Sequence, residues 1–190
     1  MSGSEGQEAF QHSKKLVEIY EMDSKRTYDI AGHAHFITFS CYKRRRLLYT
    51  DTAKRIVISI LASEIKKHNA QCSGFVIMPE HVHAIVRFSE TGQLNEFMKQ
   101  WKGKSSLRIK RYLLDILARY NSFLQPEEPV WQRKYYDLNI YSYKKLYEKL
   151  TYMHENPIAV GLVNKAEEWP YSSAVWYTSR RSVGVPLQLP

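Results

Sequence analysis

Two histidines separated by one valine, His81-Val82-His83, have the clearest capacity for chemistry in this chain. In an extended strand residues i and i+2 project from the same face, so both imidazoles would stand side by side, opposite Val82. Two imidazoles on a rigid strand are half of a metal site. A half-buried strand edge that happens to hold two histidines explains these residues at least as well. A divalent ion needs a third protein ligand, or waters and substrate oxygens. His33, His35, Glu80 and the cluster Tyr152-Met153-His154-Glu155-Asn156 are the candidates to complete it. On a helix Tyr152 and Asn156 are i and i+4 and share a face, so they would offer a phenol and an amide oxygen together. A phenol beside a metal and a basic groove is a candidate nucleophile for a phosphodiester. Packing of Tyr152 on a sheet, with Asn156 capping the helix before Pro157, is the plainer reading, and the residues alone favour it.

Elements able to position these groups are legible. Ala34 to Tyr42 alternates β-branched and aromatic residues and reads as a strand, with the basic run Lys43-Arg44-Arg45-Arg46 at its end. Asp51 reads as the N-cap of an amphipathic helix over 52–68, with Ile56, Ile60, Leu61 and Ile65 inward. Gln71 to Met78 and His81 to Phe88 are two strands joined by the short Met-Pro-Glu link, hence a hairpin. Leu94 to Tyr120 is helical and basic in its first half, with an expected break at Gly103-Lys104-Ser105-Ser106 and a core stripe of Ile109, Leu113, Ile116 and Leu117. After a 126–129 linker, Val130 to Asp137 is a short aromatic and basic extended segment. Ser142 caps a helix from Tyr143 to Glu155, which Pro157 closes. Phe10 to Tyr20 reads as a further short helix. The order strand, helix, strand, strand, helix, strand, helix predicts a ferredoxin-like α+β sandwich on an antiparallel sheet, with the two-histidine strand central.

Composition narrows the partner. The chain of 190 residues carries 28 Lys and Arg against 19 Asp and Glu, a net charge of +9. That excess favours a polyanion, nucleic acid first. Fourteen tyrosines, several beside Lys or Arg, suit single strands, where bases stack on rings and phosphates meet cations. Two distant cysteines outside any CxxC spacing suggest reduced core thiols in a cytoplasmic protein. No apolar run approaches the ~20 residues of a membrane span, and the first residues do not read as a signal peptide.

Met78-Pro79-Glu80-His81-Val82-His83 resembles the His-hydrophobic-His motif of the HUH nucleases. Val130-Trp131-Gln132-Arg133 with Tyr135-Tyr136-Asp137, then Tyr152-Met153-His154-Glu155-Asn156-Pro157 with Gly161-Leu162-Val163, resembles a longer signature. In this order the blocks are similar to the REP-associated tyrosine transposases, single-tyrosine relatives of small bacterial insertion-sequence transposases. The likeness runs from about His33 to Tyr177. It implies the HUH endonuclease fold, an antiparallel sheet with helices on one face, as a domain over 31–165 between an N-terminal arm (1–30) and a C-terminal tail (166–190). It implies Tyr152 as the nucleophile that forms a 5′-phosphotyrosine on single-stranded hairpin DNA, and Mg²⁺ or Mn²⁺ held by His81, His83 and Asn156. Tyr143 and Tyr147 share the helix, but only Tyr152 has Asn at i+4 and matches the family position. Expected DNA contacts are Arg44, Arg45, Lys99, Lys102, Lys104, Arg108, Trp131 and Arg133. Relatives act as monomers or as homodimers that exchange the tyrosine helix, and both remain open, as does a hairpin-binding protein whose chemistry has lapsed.

Overall fold

The two-histidine segment becomes an interior strand because both its neighbours are strands of matching length. The computed structural model describes residues 32–120 and 128–189, without the side chains of 116–120. Strands β1 (Ala34–Ser40), β2 (Gln71–Ile77), β3 (His81–Arg87) and β4 (Tyr136–Ile140) form one antiparallel sheet in the order β2-β3-β1-β4. Helix α1 (Asp51–Lys67) lies between β1 and β2, α2 (Gln93–Tyr120) follows β3, α3 (Tyr143–Ala159) follows β4, and a short α4 (Ala174–Ser179) comes last. This is the expected α+β sandwich. The arm at 1–30, its helix at Phe10 to Tyr20 and the first two residues of the 126–129 linker lie outside the described residues, as do the side chains of Ile116 and Leu117.

Strand parity divides the core. Phe39 and Phe36 are three apart on β1 and therefore project to opposite faces. Phe39 meets Trp101 of α2 and Trp131, with ring centroids 4.9 and 4.7 Å away. The Trp101 indole donates to the Val57 carbonyl at 3.1 Å, tying α2 to α1. Phe36 instead meets Tyr152 of α3 at 6.1 Å. The expectation of helices on one face therefore holds for α1 and α2, while α3 covers the other. Its close seat is permitted by Gly74 on β2. A Cβ built there would lie 2.3 Å from Met153 Cε and 2.6 Å from Leu150 Cδ2, both on α3.

Three local details differ from expectation. Thr50, not Asp51, caps α1, its Oγ1 accepting from Ala53 N at 3.3 Å. Helix α2 runs unbroken through Gly103, and Ser105 returns its hydroxyl to the Trp101 carbonyl at 2.6 Å. Helix α3 runs through Pro157 to Ala159; proline removes one amide donor and leaves the turn standing, and Ser142 caps its start as expected.

The segment from Ala166, expected as a tail, instead protects the outer edge of β2. Backbone bonds Ile77 N to Tyr171 O (2.8 Å), Ser173 N to Phe75 O (2.9 Å) and Gln188 N to Cys72 O (3.0 Å) occupy that edge. It also holds α3: His154 Nε2 lies 2.7 Å from Ser173 Oγ, and the Tyr177 ring packs 5.5 Å from the His154 ring. No helix among the described residues is long and apolar enough to cross a membrane.

Substituting Gly74→Val is expected to force α3 away from the sheet and to cost about 1–3 kcal/mol of stability by overpacking, read from denaturant unfolding. Burial pushes His154 from 6.5 down to about 4. Between these values the unfolded chain binds a proton that the folded chain refuses. Stability is therefore full above about 6.5 and declines as pH falls toward 4. The urea midpoint should drop across that window, less steeply in His154→Gln; a midpoint independent of pH there would contradict the assignment.

Candidate active site

Register on the helix-α3 face of the sheet places Thr38 opposite His83 and Ser40 opposite His81. The two imidazoles lie side by side as strand parity requires, ring centroids 4.7 Å apart. Each is anchored through Nδ1. His81 Nδ1 lies 2.9 Å from a Glu80 carboxylate oxygen, and His83 Nδ1 lies 2.7 Å from Thr38 Oγ1. An imidazole that donates from Nδ1 presents the lone pair of Nε2 outward, which is how metal-binding histidines are oriented. His83 Nε2 is buried and has no hydrogen-bond partner.

The turn carrying Glu80 is braced from outside the hairpin. Cys41 N donates to Glu80 O at 2.8 Å and Leu48 N to Pro79 O at 2.9 Å. The intervening loop includes two consecutive non-glycine residues in the left-handed region, Lys43 (φ 54) and Arg44 (φ 51). Their conformation is over-determined. Tyr42 N donates to Val130 O at 2.8 Å, and Arg45 pairs with Glu128 and donates to Pro129 O at 3.2 Å. Arg44 is thereby left exposed near the histidines. Burial would raise Glu80, but the hydrogen bond from His81 and the charges of His81, Arg44 and Arg46 outweigh it and hold its carboxyl below the ordinary value. Burial, with the charges of His81, Arg44 and Lys149, keeps His83 well below 6.5 and so neutral.

Helix α3 brings its chemistry to the same corner. Tyr152 is half-buried, its ring centroid 5.6 Å from that of His83 in an edge-on arrangement. Asn156 follows one turn later on the same helix face. Among the described residues no group of three or more His, Cys, Asp or Glu is placed to hold a metal. His35, weighed as a ligand, points to the opposite face and lies 3.0 Å from Asp137 Oδ1. Glu80, also weighed as one, is committed to His81 Nδ1.

The residues expected to touch DNA divide. Arg44, Lys99, Arg108 and Arg133 are exposed, although Lys99 and Arg108 stand on α2, across the sheet from the histidines. The others have structural duties. Trp131 is 6% exposed, packs on Phe39 and donates its indole N–H to Ser105 Oγ at 3.0 Å, so it is no stacking platform for bases. Lys102 Nζ caps the Gln132 and Arg133 carbonyls at 2.8 and 2.9 Å. Lys104 Nζ pairs at 2.6 Å with the fully buried Glu64, and Arg45 is held by Glu128. Sequence reasoning missed Thr38 and Lys149. Lys149 was detectable as the residue one turn before Tyr152, whereas Thr38 depended on strand register.

Comparison with known proteins places this geometry in context. A family model described as "Transposase IS200 like" matches residues 30–155. A protein of Haemophilus influenzae named as a REP-associated tyrosine transposase is 25% identical over 144 residues, covering 75% of this chain and 80% of the relative. A solved structure described as a REP-associated tyrosine transposase bound to a REP hairpin shares the fold, with TM-score 0.63 and 18% identity over 89% of this chain and 94% of that one.

Replacing Trp131 with Ala is expected to cost about 3–5 kcal/mol of folding stability, as for a core tryptophan. Arg133→Ala should stay within about 0.5 kcal/mol of the parent. Chemical denaturation of both variants checks this; equal stabilities would return Trp131 to the surface.

Proposed function

Because the chain belongs to the IS200-like transposase family, we propose that it nicks single-stranded DNA at hairpin-forming repeats and rejoins the ends through a phosphotyrosine. The observation that carries this reading is the seat of Tyr152 over the neutral, Nδ1-anchored His83 of its own chain. The hairpin substrate is supported by the similar solved structure, described as bound to a REP hairpin, and by the relative named as REP-associated.

Tyr152 is the nucleophile in this proposal. Its Oη forms a bond to the scissile phosphorus while the bond from phosphorus to the 3′ oxygen breaks. The phenol proton passes to solvent, and the departing 3′ oxygen takes a proton from solvent. A 5′-phosphotyrosine and a free 3′-hydroxyl result, and the stored ester bond lets a 3′-hydroxyl reverse the step without ATP. Two imidazoles are not the preferred donors of a hard divalent ion, so phosphate oxygens and waters would fill its remaining positions. His81 and His83 would hold it through Nε2, consistent with the partnerless buried Nε2 of His83, and Asn156 would add an amide oxygen. Mg²⁺ or Mn²⁺ bound there would act as a Lewis acid on the scissile phosphate. Glu80, a carboxylate that can only accept, would hold His81 in the tautomer this requires, and the Thr38 hydroxyl can accept from His83 Nδ1 in the same way. Arg44 and Arg133, both exposed, would contact phosphates of the strand.

Incubation with labelled hairpin DNA and Mn²⁺ should yield a covalent protein–DNA band on a denaturing gel. Tyr152→Phe should abolish the band, and its persistence would refute the nucleophile. His81→Ala should abolish cleavage with hairpin binding retained; loss of binding as well would make the histidines structural. Tight binding with no band on any hairpin would identify a binding protein whose chemistry has lapsed.

A further inference from the structure

The proposed reaction employs Tyr152 and Asn156 but not Lys149, which completes the same stripe of α3 at i, i+3 and i+7. Its side chain is only 3% exposed. The ammonium lies 5.5 Å from the Phe36 ring centroid and 5.6 Å from that of Tyr152. Phe36 is itself stacked on His83, centroids 5.4 Å apart at 15°. Ammonium, phenol and imidazole thus converge over one phenylalanine ring. Glu148 lies 3.6 Å from Lys149 Nζ, but it is about half exposed and also held by Lys145 at 2.9 Å. That pair is the loose, partly solvated kind that an entering anion can replace. A cation in a water-poor corner acts strongly on charge that develops nearby, and a lysine stem is flexible enough to turn toward it.

We propose that Lys149 binds phosphate in this reaction, its ammonium taking a non-bridging oxygen of the group attacked by Tyr152 and keeping it in the phosphotyrosine. This rests on the reading of Tyr152 as nucleophile. Negative charge grows on the non-bridging oxygens as the Oη–P bond forms and the P–O3′ bond breaks, so a fixed cation there favours the transition state over the bound substrate. Arg44 bears on the same corner from the loop after β1, and the charges of both residues reach His83. The arrangement therefore suits an anion seated between loop and helix.

The test compares adduct formation by wild type, Lys149→Met and Lys149→Arg on hairpin DNA with a phosphodiester or a methylphosphonate at the scissile position. Methionine keeps the length and the apolar contacts without the charge. Lys149→Met should form adduct about 10²–10³-fold more slowly on the phosphodiester, with hairpin affinity falling far less than the rate. Lys149→Arg should recover most of that loss. On the methylphosphonate, which lacks the non-bridging charge, wild type and Lys149→Met should differ little. A wild-type rate in Lys149→Met, or equal slowing on both substrates, would overturn the proposal; the second result would make Lys149 a prop for the Tyr152 ring. Should Lys149→Met not fold, Lys149→Gln on the same two substrates decides between these outcomes. Tyr152→Phe is run alongside. Adduct surviving in that variant would remove the nucleophile reading itself, whereas its loss together with a wild-type rate in Lys149→Met would remove Lys149 alone.

Discussion

The close seat of α3 on the sheet at Gly74 is the constraint from which the candidate site follows. With no side chain there, Leu150 and Met153 of the helix enter the space a Cβ would fill. Helical geometry then distributes the remaining residues. Lys149, Tyr152 and Asn156 occupy one flank, where Tyr152 meets Phe36 and His83. His154 occupies the other, where it reaches Ser173. The C-terminal segment, bound along the edge of β2, therefore fixes the same helix from the side away from the chemistry. Within the chain, Tyr152 lies against His83, its ring centroid 5.6 Å from the imidazole.

Electrostatics at the site share a single cause. Burial, and after it the charges of Arg44 and Lys149, disfavour a proton on His83. The same environment favours an anion entering between those groups. A neutral imidazole with an outward Nε2 and a phosphate-attracting corner are two consequences of one arrangement. The braced turn at Pro79-Glu80 and the left-handed pair Lys43-Arg44 serve it too, since the backbone bonds that hold the loop also set Arg44 beside the hairpin.

Charge was the least dependable guide to individual residues. The +9 balance describes the chain as a whole, but a lysine's partner is decided by what folds against it. Lys104 meets a buried glutamate from another helix, Lys102 caps carbonyls about thirty residues away, and Arg45 meets Glu128. Trp131 lies in a basic, aromatic stretch that reads as a nucleic-acid surface, yet it is core because Phe39 and Ser105 receive it. Each of these partners is distant in sequence, so composition around the residue carried no trace of it.

The sequence by itself determined what depends on repeat distance within one element. A two-residue strand period set His81 beside His83, and a four-residue helical step set Tyr152 beside Asn156. The order of elements, and so the antiparallel α+β sheet, followed from the same periodicities and from turn residues. Only the tertiary structure decided which face α3 covers, that Thr38 lies opposite His83, that a glycine on β2 admits the helix, and that Lys149 is buried against Tyr152. The physical reason is range. Backbone geometry imposes periodicity locally, whereas register and helix seating come from packing between segments up to about a hundred residues apart, which no local pattern encodes.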